Sequence, residues 1–241
     1  CRLYFDGGQR HVPLSAGAWD PTTTTYRGPV YTVQFERGAI VKVSLTASEL
    51  PLLSYLQTSS KDTGWVTESG TVQDFQVVAD GPVVTLIEAK KTFDTNHSYH
   101  KRYEFYPDFF TVTTLSPERY GTMSRAYYLA TGQIQDDAGN HAVIDGRGDA
   151  ENFSGKNPRP RWYATWSGRE WALNAVAVTP HDSIGYWDAG NMAGVGFNTG
   201  RKEPATVAYF VHPGPLPAEY DPLQQAEADY QRGRAKVEAG R

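Results

Sequence analysis

Residues 97–114 read HSYHKRYEFYPDFFTVTT. Side chains on a β-strand project to opposite faces in turn. One face of this stretch then carries Tyr99, Lys101, Tyr103 and Phe105, and the other His100, Arg102, Glu104 and Tyr106. The first face is the more apolar and is expected to meet a core, with Lys101 snorkelling outward. The His–Arg–Glu row then faces away. On a plain two-sheet sandwich "away" means solvent, and the row is an ordinary solvated face. On a broad curved sheet it means the floor of a cleft. Pro107 has no N–H to donate and is expected to mark a bulge or an edge.

The same alternation runs outward in both directions. Residues 30–45, VYTVQFERGAIVKVSL, form two alternating runs around Arg37 and Gly38, the pattern of a hairpin. Residues 48–57, SELPLLSYLQ, read either as a short helical turn or as a strand broken at Pro51. The segment VQDFQVVADGPVVTLIEAKKTF predicts a second hairpin, with Asp80–Gly81 supplying the positive φ of a tight turn. RWYATWSGREWALNAVAV predicts a third, turning at Ser167 and Gly168. About a dozen strand candidates recur at the spacing of sandwiches and barrels. The fold class read from this is all-β, a large antiparallel β-sandwich over residues 1–215. Residues 216–241 change character. Asp221 can cap a helix there, with Pro222 in its first turn. This tail either packs on a sheet or leads into a further domain.

Composition narrows the function. Of 241 residues, 21% are charged and 39% hydrophobic, which is a globular balance. A net charge of −4 and a pI near 5.9 give no reason to expect nucleic acid or an anionic membrane surface as partner. No run is long enough to span a bilayer as a helix. Aromatics make up 13% of the chain. Most belong in cores, and some suit the C–H faces of sugars. Cys1 is the single cysteine, so no internal disulfide forms. Its position is that of a fragment's first residue and also that of a lipid-carrying residue in a mature lipoprotein, although RLYF follows directly where a flexible polar tether would be expected.

Three groups of residues are candidates for chemistry. In the first, His100 is a base or acid near neutral pH, Arg102 can neutralise a carboxylate, and Glu104 can orient either. Tyr99 or Tyr106 would be a second proton carrier, and His97, in the preceding turn, and Lys101 would bind substrate. A base beside a carboxylate neutraliser is what β-elimination from a uronic acid needs. The second group is the loop QDDAGNHAVIDGRGDAEN, where Asp145, Asp149 and Glu151 are oxygen ligands of the kind Ca²⁺ takes, without EF-hand spacing. Such loops are also ordinary solvated turns. The third is aromatic. Trp162 and Trp166 share a face and, with Trp187, are candidate sugar-stacking residues if they point outward and core if they point inward. His181 and His212 lie beside prolines at strand ends and read as structural. No HExxH, CxxC pair, GxSxG or phosphate loop is present, and the chemistry read here requires no cofactor.

Residues about 70–213 resemble the β-supersandwich domains grouped with galactose mutarotase. The resemblance lies in the order of DGPVVTLIEAKKTF, YHKRYEFYPDFFTVTT, REWALNAVAV and ATVAYFVHPG between long loops. It implies a supersandwich and a carbohydrate ligand, of the kind met in polysaccharide lyases and in accessory domains of glycoside hydrolases. It also implies that site residues sit on a sheet, which maps to His100, Arg102, Glu104 and Tyr99. The epimerase pattern of two histidines and a glutamate would need His181 or His212 as the second histidine. The expected activity is a polysaccharide lyase cleaving an acidic glycan; the alternative is a non-catalytic glycan-binding or accessory domain. Either implies a secreted, periplasmic or cell-surface protein.

Overall fold

The computed structural model describes residues 17–60, 71–92, 98–115, 120–127, 131–136, 141–144, 150–154, 162–167, 170–179, 181, 183–189, 192–198 and 204–214, with 221, 224, 227, 228, 230, 231 and 235 of the tail. Side chains are described for part of these. Eighteen strands form among them. The first nine are β1 (Ala18–Asp20), β2 (Thr25–Arg27), β3 (Tyr31–Glu36), β4 (Ala39–Leu45), β5 (Pro51–Ser60), β6 (Thr71–Asp80), β7 (Thr85–Thr92), β8 (Ser98–Phe105) and β9 (Phe109–Thr114). The rest are β10 (Tyr120–Tyr127), β11 (Thr131–Asp136), β12 (His141–Ile144), β13 (Ala150–Ser154), β14 (Trp162–Ser167), β15 (Trp171–Ala177), β16 (Ser183–Ala189), β17 (Met192–Asn198) and β18 (Ala205–Pro213).

The strands make two nine-stranded sheets, in the orders β1-β2-β3-β4-β5-β10-β17-β16-β13 and β12-β11-β14-β15-β18-β9-β8-β7-β6. This is the expected all-β antiparallel sandwich.

Local chemistry explains the turns. Arg37 and Gly38 both take positive φ, 48° and 74°, the left-handed pair that a two-residue hairpin requires. Pro51 starts β5 rather than breaking it, a place where its missing N–H costs little. Two expectations are corrected. Pro107 is neither bulge nor edge: it lies in the turn between β8 and β9, closed by Tyr106 N–H donating to the Phe109 carbonyl (2.9 Å). Its fixed φ suits a turn. The hairpin after Asp80 forms, but through residues 81–84, with Gly81 N–H donating to the Val84 carbonyl. Gly81 does not take positive φ there. The following Pro82 steers it toward extended conformations instead.

The main core lies between the sheets. Tyr26, Tyr31, Val33, Phe35, Ile40 and Leu56 enter from the first sheet, and Ile87, Tyr103, Phe105, Phe110, Leu173 and Tyr209 from the second. Each fully enclosed large apolar side chain contributes about 1.5–3 kcal/mol of burial. Polar tips inside need partners. The Tyr31 hydroxyl lies 2.7 Å from the carbonyls of both Tyr106 and Phe109 and donates to one or the other. It thereby ties β3 of the first sheet to the β8–β9 turn of the second.

A second, smaller core lies on the other side of the second sheet. Tyr106, Phe109, Tyr163, Val176, Ala208 and Phe210 form it, with Tyr230 of the tail packed against them. The described tail residues Gln224, Glu227, Ala228, Tyr230, Gln231 and Ala235 have helical backbone. Asp221 Oδ1 accepts from Gln224 N–H (3.1 Å), the expected cap. The tail therefore reaches the outer face of the second sheet.

Candidate functional site on the outer face of the second sheet

Strand β8 alternates as its sequence predicts. Tyr103 and Phe105 are enclosed, and His100, Arg102 and Glu104 are half-buried on the opposite, outer face. The register of β8 against β7 decides what surrounds that row. Arg102 pairs with Glu88 and His100 with Lys90, so Glu88 stands beside both cations. Its Oε1 accepts from Arg102 Nε (2.9 Å) and Nη2 (2.7 Å). Its Oε2 lies 3.0 Å from His100 Nε2. An ionised carboxylate only accepts, so that ring nitrogen donates. Side-chain exposure is 29% for His100, 24% for Glu88 and 40% for Arg102. The cluster is thus sheltered, yet open to a ligand. Burial of Glu88 pushes its carboxyl up; the hydrogen bonds from Arg102 and His100 outweigh this and hold it below the ordinary carboxylate range.

Glu88 was not among the sequence candidates, and it takes the role foreseen for Glu104. Glu104 instead accepts from Thr111 Oγ1 (3.0 Å) on β9. The signal for Glu88 was present in the Leu86, Glu88, Lys90 alternation of LIEAKK.

Tyr99 and Lys101 do not join the row. They are 1% and 0% exposed on the face turned to the other sheet, where Lys101 Nζ lies 4.8 Å from the centre of the Tyr99 ring. The lysine does not snorkel: mid-strand alternation points it inward, and the aromatic face offers its ammonium a partner. Tyr106 is likewise enclosed, in the second core. A ligand on the outer face cannot reach these three.

The remaining candidates are placed by backbone alone or not at all. Trp166 pairs with Leu173, a main-core residue, and Trp162 pairs with Asp136. Trp187 pairs with Gly194 and Ala150, in the first sheet. Glu151, on β13, pairs with Tyr186 of β16. The side chains of these four, and all of His97, Asp145 and Asp149, lie outside the described residues. Among the described residues no group of three or more His, Cys, Asp or Glu side chains could hold a metal ion, and no helix is long and apolar enough to cross a membrane.

The outer face holds a second polar group that sequence reading missed. Thr165 Oγ1 donates to Asn174 Oδ1 (2.7 Å), and the Asn174 amide lies 3.2 Å from His212 Nε2. An amide nitrogen only donates, so Nε2 accepts and the imidazole is neutral with its proton on Nδ1. Burial pushes the His212 pKa down, and the charge of Asp108 only partly offsets this. Asn174 is wholly buried and Thr165 nearly so. His181 is buried, with Nδ1 2.8 Å from the Thr179 carbonyl and its ring edge-on to Phe197.

No known protein family matches the chain, and no curated protein does. Among solved structures the chain is similar to the Slr1438 protein from Synechocystis sp. PCC 6803. The identity is 9% and the TM-score 0.46, over 83% of this chain and 96% of that one. At that distance neither fold nor function passes from that protein to this one.

Proposed function

We propose that this β-sandwich is a carbohydrate-active domain that takes an acidic glycan on the outer face of its second sheet and cleaves it by β-elimination. One observation carries the reading: a half-open imidazole held by a carboxylate, Glu88, beside a guanidinium that the same carboxylate holds. Arg102 would offset the uronate carboxylate and make the C5 proton acidic enough to remove. His100 would take that proton. The electron pair becomes the C4–C5 double bond, the C4–O bond breaks, and the proton passes from the imidazolium to the leaving oxygen. The resemblance of residues about 70–213 to β-supersandwich sequences supports a sugar ligand by analogy. Such a domain would act outside the cytoplasm, in the periplasm or at the cell surface, and the mass of the native N-terminus tests whether Cys1 carries lipid.

A specific observation favours a second reading, glycan binding without turnover. Tyr99 and Tyr106 are enclosed, which removes the extra proton carriers expected beside His100, and Lys101 is enclosed as well, which removes an expected substrate contact. Absorbance near 235 nm on a panel of uronic-acid polymers separates the two, because elimination leaves a conjugated double bond. The elimination reading expects a rise that His100→Ala and Arg102→Ala abolish while the fold is kept. A rise unchanged in both variants means the site is elsewhere. Binding with no rise selects the second reading.

A further inference from the structure

We propose that Glu88 is a displaceable internal carboxylate: it occupies on Arg102 the place of a uronate carboxylate, and yields Arg102 to an acidic ligand while keeping hold of His100. The inference rests on the acidic-glycan reading of this site and adds how the site is gated.

Three observations lead to it. First, Glu88 divides its contacts by oxygen, Oε1 to Arg102 and Oε2 to His100. One hold can break while the other stays. Second, two nitrogens of Arg102 share the single oxygen Oε1 of Glu88, whereas a ligand carboxylate can offer those two donors one oxygen each, in the fork-on-fork pairing a guanidinium favours. An incoming uronate therefore competes for the same donors. Third, Arg102 is the most exposed of the three side chains. Exchanging one carboxylate for another there keeps the guanidinium paired and leaves no buried charge unpartnered, so the exchange costs little. Lys90, exposed and on the same face, pairs in register with His100 and sits beside Glu88 on its own strand. It can receive the released charge.

The consequence runs against the usual effect of removing a salt-bridge partner. Glu88→Gln keeps an oxygen for His100 and removes the charge that competes for Arg102. It should tighten the binding of acidic ligands about fivefold, the affinity equivalent of one exposed ion pair. Neutral ligands should bind unchanged. If elimination occurs, KM for the acidic polymer should fall, and kcat should fall too, because an amide holds the imidazolium less well than a carboxylate does.

The test is calorimetric titration of the full chain with trimers of galacturonate, glucuronate and mannuronate, and with their methyl esters. Wild type, Glu88→Gln, Glu88→Asp and Arg102→Ala are compared, each first shown by thermal melting to be folded. The expected result is tighter acid binding by Glu88→Gln alone, no change for the esters, and loss of the acid-over-ester preference in Arg102→Ala. If wild type prefers acids through Arg102 but Glu88→Gln binds them equally or less tightly, the gating inference falls and the site reading stands. If neither wild type nor Glu88→Gln prefers any acid to its ester, both fall.

Discussion

The two halves of the second sheet's outer face obey the same alternation and come to opposite ends. Toward β14, β15 and β18, the face carries Tyr163, Val176, Ala208 and Phe210, and Tyr230 of the tail packs on them. Of its polar members, Thr165 and Asn174 are buried and hydrogen-bonded to each other, and half-buried His212 joins them through Nε2. Toward β7 and β8, the face carries Glu88, His100 and Arg102, also bonded to one another, yet each half-open. A polar row on a strand is thus not a site by composition. What lies over it decides whether it braces the fold or meets a ligand.

Perturbing the closed half should cost the most stability. Phe210, stacked on Phe109 at 5.1 Å between ring centres, should lose about 3–5 kcal/mol on Phe210→Ala, measured by urea unfolding. Asn174→Ala leaves the buried Thr165 hydroxyl without its acceptor and takes a donor from half-buried His212, and should cost about 1–3 kcal/mol. If either loss is negligible, the half is not closed. Glu88→Gln in the open half should cost about 1 kcal/mol or less, because water reaches the pair and screens it, yet of these three variants it alone should change ligand binding. A large stability loss there would make the cluster a brace like the other.

The smallest effects are in pH. His212 has a lowered pKa in the folded state, so its unfolded form binds protons first. Its contribution is complete above the ordinary histidine range, about 6.5, and is lost as pH falls through it. The Glu88 carboxyl is also lowered, so its contribution is complete above the ordinary carboxylate range and is lost only at more acid pH. Stability against pH should then fall in two stages, the first absent in His212→Gln and the second in Glu88→Gln.

How much of this was legible follows from distance along the chain. The face of β8 was readable because alternation is local. So was the Arg37–Gly38 turn, whose residue types fit its backbone. Glu88 was visible as a polar position but not as a partner. The register of β7 against β8 depends on the connection between them, which no periodicity measures. Thr165, Asn174 and His212 meet only through the order of three strands, and Asn174 sits in WALNAVAV, a run that reads as uniformly buried. Lys101 was placed on the correct face and expected to escape it. Only the packed interior shows that it does not. The tail's cap was legible, and the surface it covers was not.

The most direct test of the contrast is an amide chemical-shift titration of the 26.7 kDa chain with the best-bound uronate trimer. The account predicts shifts centred on Glu88, His100 and Arg102, with Asn174, Phe210 and His212 unmoved. Shifts centred on those last three, with the β7–β8 row silent, would contradict it.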